Sequence, residues 1–537
     1  MYVTQHILIY SVLMISSSQR RNKQCVRNLL YMLQRIKINC FESYILLNNF
    51  LPIHFYVFFH FNGTLCPPVS ESIMTFNFNK QRIKHLSKLN DVKENCKGIL
   101  YWMFRDIRIQ DNWALLFAQK IAVKSNVPLH ICFCIMPSFL NASMRYYKFL
   151  LKGLMEIEEE CKQLNLNFHL LHGEPNESIL KFVKTYNMGA VIVDFYPLKL
   201  PMSWIDNVQK NLPEDVPICQ IDAHNIVPCW YASSKQEFAA KTIRNKINTK
   251  LQEFLTEFPP VIKHPYLTKE KFENNNWDIT LQDVEASKPT AEITWAKPGY
   301  RNGIKELENF IQNHLQKYGD EHNNPLSNAI SNLSPWFHFG MISVQRCILE
   351  IQEYKGLYKK SVESFMEEAI IRRELSDNFC FYNGKYDLVE GAYPWAIKTL
   401  NKHRKDTRKY VYSLSQLENS KTHDDLWNAC QNQMIITGKM HGFLRMYWAK
   451  KLLEWTETPE IALEWANYLN NKYSIDGCDP NGYVGCMWSI CGVHDHGWPE
   501  RDIFGKIRYM NYNGCKRKFN VAEFVMKWGK KKANELI

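Results

Sequence analysis

From residue 98 onward, short apolar runs alternate with amphipathic stretches. GILYWMF (98–104), VPLHICFCIMP (127–137), NFHLLHG (167–173), AVIVDFYP (190–197) and VPICQIDAHNIVP (216–228) read as buried strands. Between them, 111–124, 143–164, 176–187 and 203–211 place apolar residues at helical spacing. Strands alternating with helices predict βαβ units around a parallel sheet, so residues 96–232 are expected to form a Rossmann-like, doubly wound α/β domain. No GxGxxG follows the first strand, which argues against dinucleotide binding by the usual fingerprint.

The period then changes. Residues 233–256 look helical, but 258–298 carry five prolines and the run Asn274–Asn275–Asn276, so 233–298 reads as an interdomain linker. Beyond it, 303–318, 335–355, 361–380, 424–436, 440–456 and 459–472 have helical spacing and strand-like alternation is absent. Residues 299–537 are therefore expected to be an all-α domain, with Gly-rich loops at 476–497.

Residues 1–95 stand apart. YILLNNFLPIHFYVFFHF (44–61) is apolar, but two Asn, two His and a Pro interrupt it, so it falls short of a membrane span. The basic residues Arg20, Arg21, Lys23, Arg27, Arg35 and Lys37 face the single Glu42. That bias suits either a transit segment or a disordered extension, and the stretch is left outside the fold.

The net charge of +12 over 537 residues invites a nucleic-acid partner, but its distribution weakens that argument. Residues 1–97 hold 12 Lys/Arg against 4 Asp/Glu, leaving 54 against 50 for everything that reads as folded. A local basic face remains conceivable at Lys516, Arg517, Lys518, Lys530, Lys531 and Lys532. Sixteen cysteines without regular spacing suit reduced thiols rather than a disulfide scaffold. Cys478, Cys486, Cys491, His494 and His496 are zinc-type ligands, but no pair has the CxxC spacing of structural sites, so no metal is expected.

Four strings carry candidate chemistry. SNLSPWFHFG (331–340) sets Ser331, Asn332 and Ser334 before Pro335, a helix entrance whose hydroxyls and free N–H groups suit a phosphate or a plain N-cap. EEAIIRRELSDNF (367–379) and KMHGFLRMYWAKKLLEW (439–455) mix charge with aromatic residues on helices, and IDGCDPNGYVGCMWSICGVHDHGW (475–498) follows. Trp448 and Trp455 lie seven residues apart on one helix, sharing a face about 10 Å apart along the axis.

Taken together, these strings resemble those of the class II cyclobutane-dimer photolyases, over roughly residues 98–530 and most densely from 318 onward. The resemblance implies an antenna domain in the α/β half and FAD deep in the helical half. Tyr318, Ser331, Asn332, Leu333 and Ser334 would hold the cofactor, the last four around its diphosphate. Arg445 and Asp476 would form a charged pair beside the isoalloxazine, and Asn470 would face its N5. Trp427, Trp448 and Trp455 would re-reduce oxidised flavin. Glu368 would hydrogen-bond the dimer's bases, Met446 and Trp488 would line the cavity for the flipped dimer, and Trp498 and Arg508 would enter the duplex where the dimer has left it.

The implied activity is that of a deoxyribodipyrimidine photo-lyase acting on double-stranded DNA that contains cyclobutane pyrimidine dimers. The implied protein is a monomer with no membrane partner, resident in the nucleus or, given the basic start, also the mitochondrion. A second, light-harvesting chromophore is compatible with the resemblance. The alternatives are a cryptochrome-like flavin photoreceptor without repair and an inactive DNA-binding homologue. Retained Glu368, Met446 and Trp488 favour repair, as does a chain that ends soon after the last matched string.

Two positions depart from the family's pattern. Where it has Arg in an RNDP string, this chain has HNNP, with His322 and Asn324, so a His322–Asp495 contact is expected in place of a salt bridge. His496 stands where the family commonly has Arg, which bears on DNA affinity.

Overall fold

The computed structural model describes residues 75–283 and 290–529. Lys530, Lys531 and Lys532, the hydrophobic run 44–61 and the basic start lie outside the described residues.

A six-stranded sheet forms the α/β domain: β1 (Ile83–His85), β2 (Gly98–Trp102), β3 (Leu129–Ile135), β4 (Asn167–His172), β5 (Met188–Asp194) and β6 (Ile218–Ile221). Its order is β1-β6-β5-β2-β3-β4, all parallel except β1, which runs antiparallel to β6. The helices α1 (Trp113–Lys124), α2 (Met144–Gln163), α3 (Pro175–Thr185) and α4 (Lys199–Asn211) make the crossovers. Every residue of β2, β3 and β5 is buried, which is why their sequences are continuous apolar runs rather than alternating ones. In register, Tyr101 of β2 lies opposite Ile131 of β3 and Ile192 of β5. Asn112 caps α1 by accepting from the N–H groups of Ala114 and Leu115.

Residues 79–95, set aside by the sequence pattern, take part in this domain. Strand β1 covers the edge of β6, pairing Ile83 with Ile221. Arg82 is buried and donates to the carbonyls of Asp222, Asn225 and Ile226 and to Gln345 Oε1. Three residues are too short a strand to leave a period in the sequence.

Beyond residue 298 come α5 (Tyr300–Asn313), α6 (Leu315–Glu321), α7 (Ser334–His338), α8 (Val344–Gln352), α9 (Lys359–Met366), α10 (Arg373–Tyr382), α11 (Pro394–Lys402), α12 (Asp425–Thr437), α13 (Gly442–Trp455), α14 (Pro459–Tyr473), α15 (Pro480–Cys491) and α16 (Val521–Trp528). The predicted helix 335–355 is two helices, because Gly340 between them has φ +61° and packs so closely that an added Cβ would lie 2.3 Å from the Arg105 carbonyl oxygen. Residues 476–497 are not loops throughout: α15 occupies most of them. Asp479 caps it by accepting from the Asn481 N–H, Pro480 opens its first turn, and Gly492 at φ +64° ends it.

In an open parallel sheet, ligands usually sit beyond the strand carboxyl ends at the switch in strand order. Here that ground is taken by contacts to the helical domain. Asp194 at the end of β5 accepts from the N–H groups of Phe104, Arg105 and Asp106, and Arg105 makes a two-pronged bond to Asp377 of α10 at 2.8 and 2.9 Å. Asn225 reaches the same carboxylate at 2.9 Å, and Glu374 accepts from the Ile226 N–H. One continuous apolar core runs from Ile99 and Ile131 through Leu150 to Phe310, Trp336 and Phe365, so the two domains share it.

Candidate functional site

The site gathers at the entrance to α7 and on α13 to α15. Asn332 holds φ +57°, a left-handed bend that Asn tolerates, and it leaves Ser331–Ser334 wrapped ahead of α7. Lys439 Nζ donates to Asn332 Oδ1 at 2.6 Å. Lys439 is half-buried, and desolvation draws its ammonium down to about 8 against the pull of Asp476. Arg445 donates to Asp476 Oδ1 at 2.6 Å. Burial would raise the Asp476 carboxyl, but Arg445 and a hydrogen bond from Ser334 hold it below the ordinary carboxylate value. Lys439 and Arg445 thus bring cationic charge to the loop that the resemblance assigns to a diphosphate, which fits an anionic group.

Asn470 on α14 is buried, and its Nδ2 has no partner among the described residues, whereas its Oδ1 accepts from Ser474 Oγ at 3.2 Å. An orphaned amide donor at depth fits a ligand acceptor. Gly482 of α15 is the reason the amide has room: a Cβ there would lie 2.7 Å from Asn470 Nδ2. His441, at the start of α13, likewise has an unpartnered, buried Nε2.

The three tryptophans meet, but not by way of their shared helix face. Trp427 of α12 stacks on Trp448 with ring centroids 6.2 Å apart and planes 8° apart, and meets Trp455 edge-on at 5.8 Å. Its indole N–H donates to the Trp448 carbonyl, and that of Trp448 to Gln431 Oε1. The order is therefore Trp448–Trp427–Trp455, with the middle member supplied by a different helix.

Glu368 sits in a π-helical turn, Glu367–Arg372, between α9 and α10, a local widening often found where a helix side chain is re-aimed for function. It lines a cavity of about 520 Å³ with His322, Lys359, Lys360, Glu363, Ser364 and Glu367. Burial raises its carboxyl, against the nearby Arg372 and His322. Tyr318 is buried on α6, its ring stacked on His322 at 4.8 Å.

The expected His322–Asp495 contact does not form. His322 Nδ1 donates to the Tyr318 carbonyl at 2.7 Å, which leaves Nε2 to accept from the Asn323 amide at 2.9 Å, so both ring nitrogens are engaged locally. Asp495 instead takes Arg508 in a two-pronged bond at 2.8 and 3.0 Å and accepts from the His496 backbone N–H. The Arg508 guanidinium lies between two indoles, 4.2 Å from the Trp498 ring centroid and 5.5 Å from that of Trp488, and His496 stacks on Trp498. Behind Trp488, Lys450 is wholly buried, donates to the Ser489 carbonyl at 2.9 Å and stands 4.6 Å from the indole, with burial lowering it to about 7. Met446 is half-buried on α13.

Lys439, Lys450 and Gly482 were not singled out from sequence, although all three lie in the quoted strings; their importance comes from the contacts that folding brings, which spacing does not reveal. Among the described residues every cysteine is a free thiol, and the one group able to hold a metal is His403, Asp406 and Asp502, outside the Cys/His cluster considered above. No helix among the described residues is long and apolar enough to cross a membrane.

The chain is similar to known proteins along most of its length. A family model described as DNA photolyase matches residues 99–263. The chain is 56% identical over 456 residues to the deoxyribodipyrimidine photo-lyase of Potorous tridactylus, covering 85% of this chain and 86% of that protein. It is 47% identical over 463 residues to the deoxyribodipyrimidine photo-lyase of Arabidopsis thaliana, covering 84% and 93%. A solved bacterial class III photolyase from Agrobacterium tumefaciens shares the fold, with a TM-score of 0.65 at 16% identity over 82% of this chain and 88% of that one. Identity of this order across both domains, joined to the strings that carry the site, makes the chain a member of the photolyase and cryptochrome superfamily and, within it, of the class II photolyases.

Proposed function

We propose that this chain binds FAD in its helical domain and uses light to reopen cyclobutane pyrimidine dimers in double-stranded DNA, as a deoxyribodipyrimidine photo-lyase. The observation that carries the reading is the conjunction of the Arg445–Asp476 pair and the unpartnered Asn470 amide with a stacked tryptophan relay that begins on the same helix as Arg445. When bound, FAD supplies light absorption and the electron that opens the cyclobutane ring.

The chain's own residues provide position and electrostatics. Lys439 and the Ser331–Ser334 loop hold the diphosphate, and Tyr318 packs at the cofactor's side. Arg445 favours negative charge on the flavin, and the free N–H of Asn470 fixes its edge. Trp448, Trp427 and Trp455 give an electron a path inward. Glu368, whose carboxyl burial raises, hydrogen-bonds the dimer's bases, while Met446 and Trp488 wall the flipped dimer. Trp498 and Arg508 fill the gap left in the duplex, with Lys516, Arg517 and Lys518 toward its phosphates. Ring opening by electron transfer needs no general acid or base.

The test is to reduce the flavin of the full chain and illuminate it with a dimer-containing oligonucleotide. Light-dependent return of intact thymines is expected. Bound flavin without repair would point to a photoreceptor, and a chain that takes up no flavin to an inactive homologue. The same proposal places a second, light-harvesting chromophore in the α/β domain, read as absorption beyond that of FAD. It takes the protein to be a monomer of the nucleus, present also in mitochondria, read by light scattering and by fractionation.

A further inference from the structure

The segment that would enter the duplex is a hairpin. Trp498 N–H donates to the Lys506 carbonyl at 2.8 Å, and Arg501 and Gly505 exchange backbone bonds at 3.0 and 2.8 Å. Two of its residues bend to positive φ, Ile503 at +67° and Gly505 at +53°. Its Phe504 and Ile507 are buried in the apolar core of the helical domain, while the polar backbone and side chains around them need hydrogen-bond partners outside the hairpin.

The support comes from α11 and the turn after it. His403 bridges two carboxylates: Nδ1 meets Asp406 at 2.5 Å and Nε2 meets Glu500 of the hairpin at 2.9 Å. Asp406 in turn accepts the Ile503 N–H at 2.8 Å, and Thr399 Oγ1 accepts the Lys506 N–H at 3.0 Å. Gly505 approaches so closely that a Cβ would lie 2.2 Å from Thr399 Oγ1 and 2.9 Å from His403 Cδ2. Thus one imidazole ties the first strand directly and the tip through Asp406. A metal reading of His403, Asp406 and Asp502 is disfavoured, because both ring nitrogens already point at carboxylates, an arrangement that wants a proton on each.

We propose that His403 is a positioning residue that holds the Trp498–Arg508 hairpin in the shape that enters DNA, so that affinity for a dimer in duplex DNA depends on it while affinity for a dimer in single-stranded DNA does not. The inference rests on the repair reading above, in which only a duplex leaves a gap for the hairpin to fill. It carries a pH dependence. Glu500 and Asp406 raise the ring's pKa against a smaller effect of burial. The other charged groups about it are Lys402, bonded to Glu500, Arg408, bonded to the Asp406 carbonyl, and Asp502. With a raised pKa the clamp is complete at low pH and is lost as pH rises through the ring's value.

The experiment measures dissociation constants of the full-length, flavin-loaded chain in the dark. The probes are a thymine dimer in a duplex and the same dimer in a single strand, bound by wild type, His403→Ala, Glu500→Gln and Trp498→Ala. His403→Ala is expected to weaken duplex binding roughly tenfold, to leave the single strand and the repair yield per bound dimer unchanged, and to abolish the decline of duplex affinity with rising pH. Glu500→Gln, which keeps the packing, is expected to shift both in the same direction by less, and it decides the matter if His403→Ala does not retain flavin. Equal losses for duplex and single strand, or no loss in either variant, overturn the proposal. If Trp498→Ala also leaves duplex binding intact, the duplex-entering role of the hairpin falls with it; if Trp498→Ala weakens it while the His403 variant does not, only the clamp falls.

Discussion

At the scale of residues, chemistry follows from where burial leaves a polar group. Glu368 is the clearest case. Its carboxyl is raised by burial, so the protonated donor persists to higher pH than for an exposed Glu and is lost once pH passes that raised value. Repair yield at saturating DNA is therefore expected to fall with rising pH in wild type. In Glu368→Gln, which keeps a donor but cannot ionise, the yield should be lower by a few-fold and flat with pH. Glu368→Ala should lose about tenfold or more. Some of the site was visible before folding: Ser331–Ser334, Arg445 and Asp476 stand in strings whose order and spacing are distinctive. Asn470 was named by the resemblance, but its unpartnered amide was not foreseeable, and Lys450 was not distinguished at all, since only packing leaves one amide without a partner and one ammonium enclosed behind Trp488. The His322 substitution was visible, but its consequence was not, because Arg508, thirteen positions from Asp495, satisfies that carboxylate instead.

Among elements, the tryptophan relay shows what periodicity can and cannot tell. Seven-residue spacing correctly puts Trp448 and Trp455 along one helix, but it suggests a direct step between them. The structure inserts Trp427 from α12, stacked on one and edge-on to the other. Trp427→Phe is therefore expected to block photoreduction of oxidised FAD as completely as Trp448→Phe, while both retain repair when the flavin is reduced beforehand, as followed by absorption under steady illumination. A Trp427 variant that photoreduces at near wild-type rate would mean that the electron bypasses it. Helix α15 makes the opposite point. Its Gly482 and Gly485 lower helix propensity, so 476–497 reads as loop. Yet packing against α13, α14 and α10 overrides propensity, and one of those glycines makes room for the Asn470 amide.

For the molecule as a whole, the alternation of strands and helices followed by helices alone was enough to give an α/β part and a largely helical part, but not how they join. The join is ionic and dry: Arg105 and Asp377 are both fully buried, with side-chain exposures of 1% and 0%. Removing one partner strands the other, so Asp377→Ala is expected to destabilise the chain by about 3–5 kcal/mol, seen in denaturant as an earlier midpoint. Because one of the apolar cores runs through both domains, they should unfold in one transition, reported alike by far-ultraviolet circular dichroism and by flavin release.

Strand β1 has a practical bearing on where the protein can be cut. A version beginning at residue 96, where the helix and strand pattern first becomes regular, would lack Arg82 and bare the flank of β6. Three buried carbonyls would then lose their donor, and an unprotected sheet margin would be open to pairing with another chain. Such a truncation is expected to go into inclusion bodies or to elute as large aggregates on size exclusion, whereas one beginning at residue 75 should stay dispersed and keep its flavin. The first useful boundary for crystallisation or engineering is thus set by a strand of three residues.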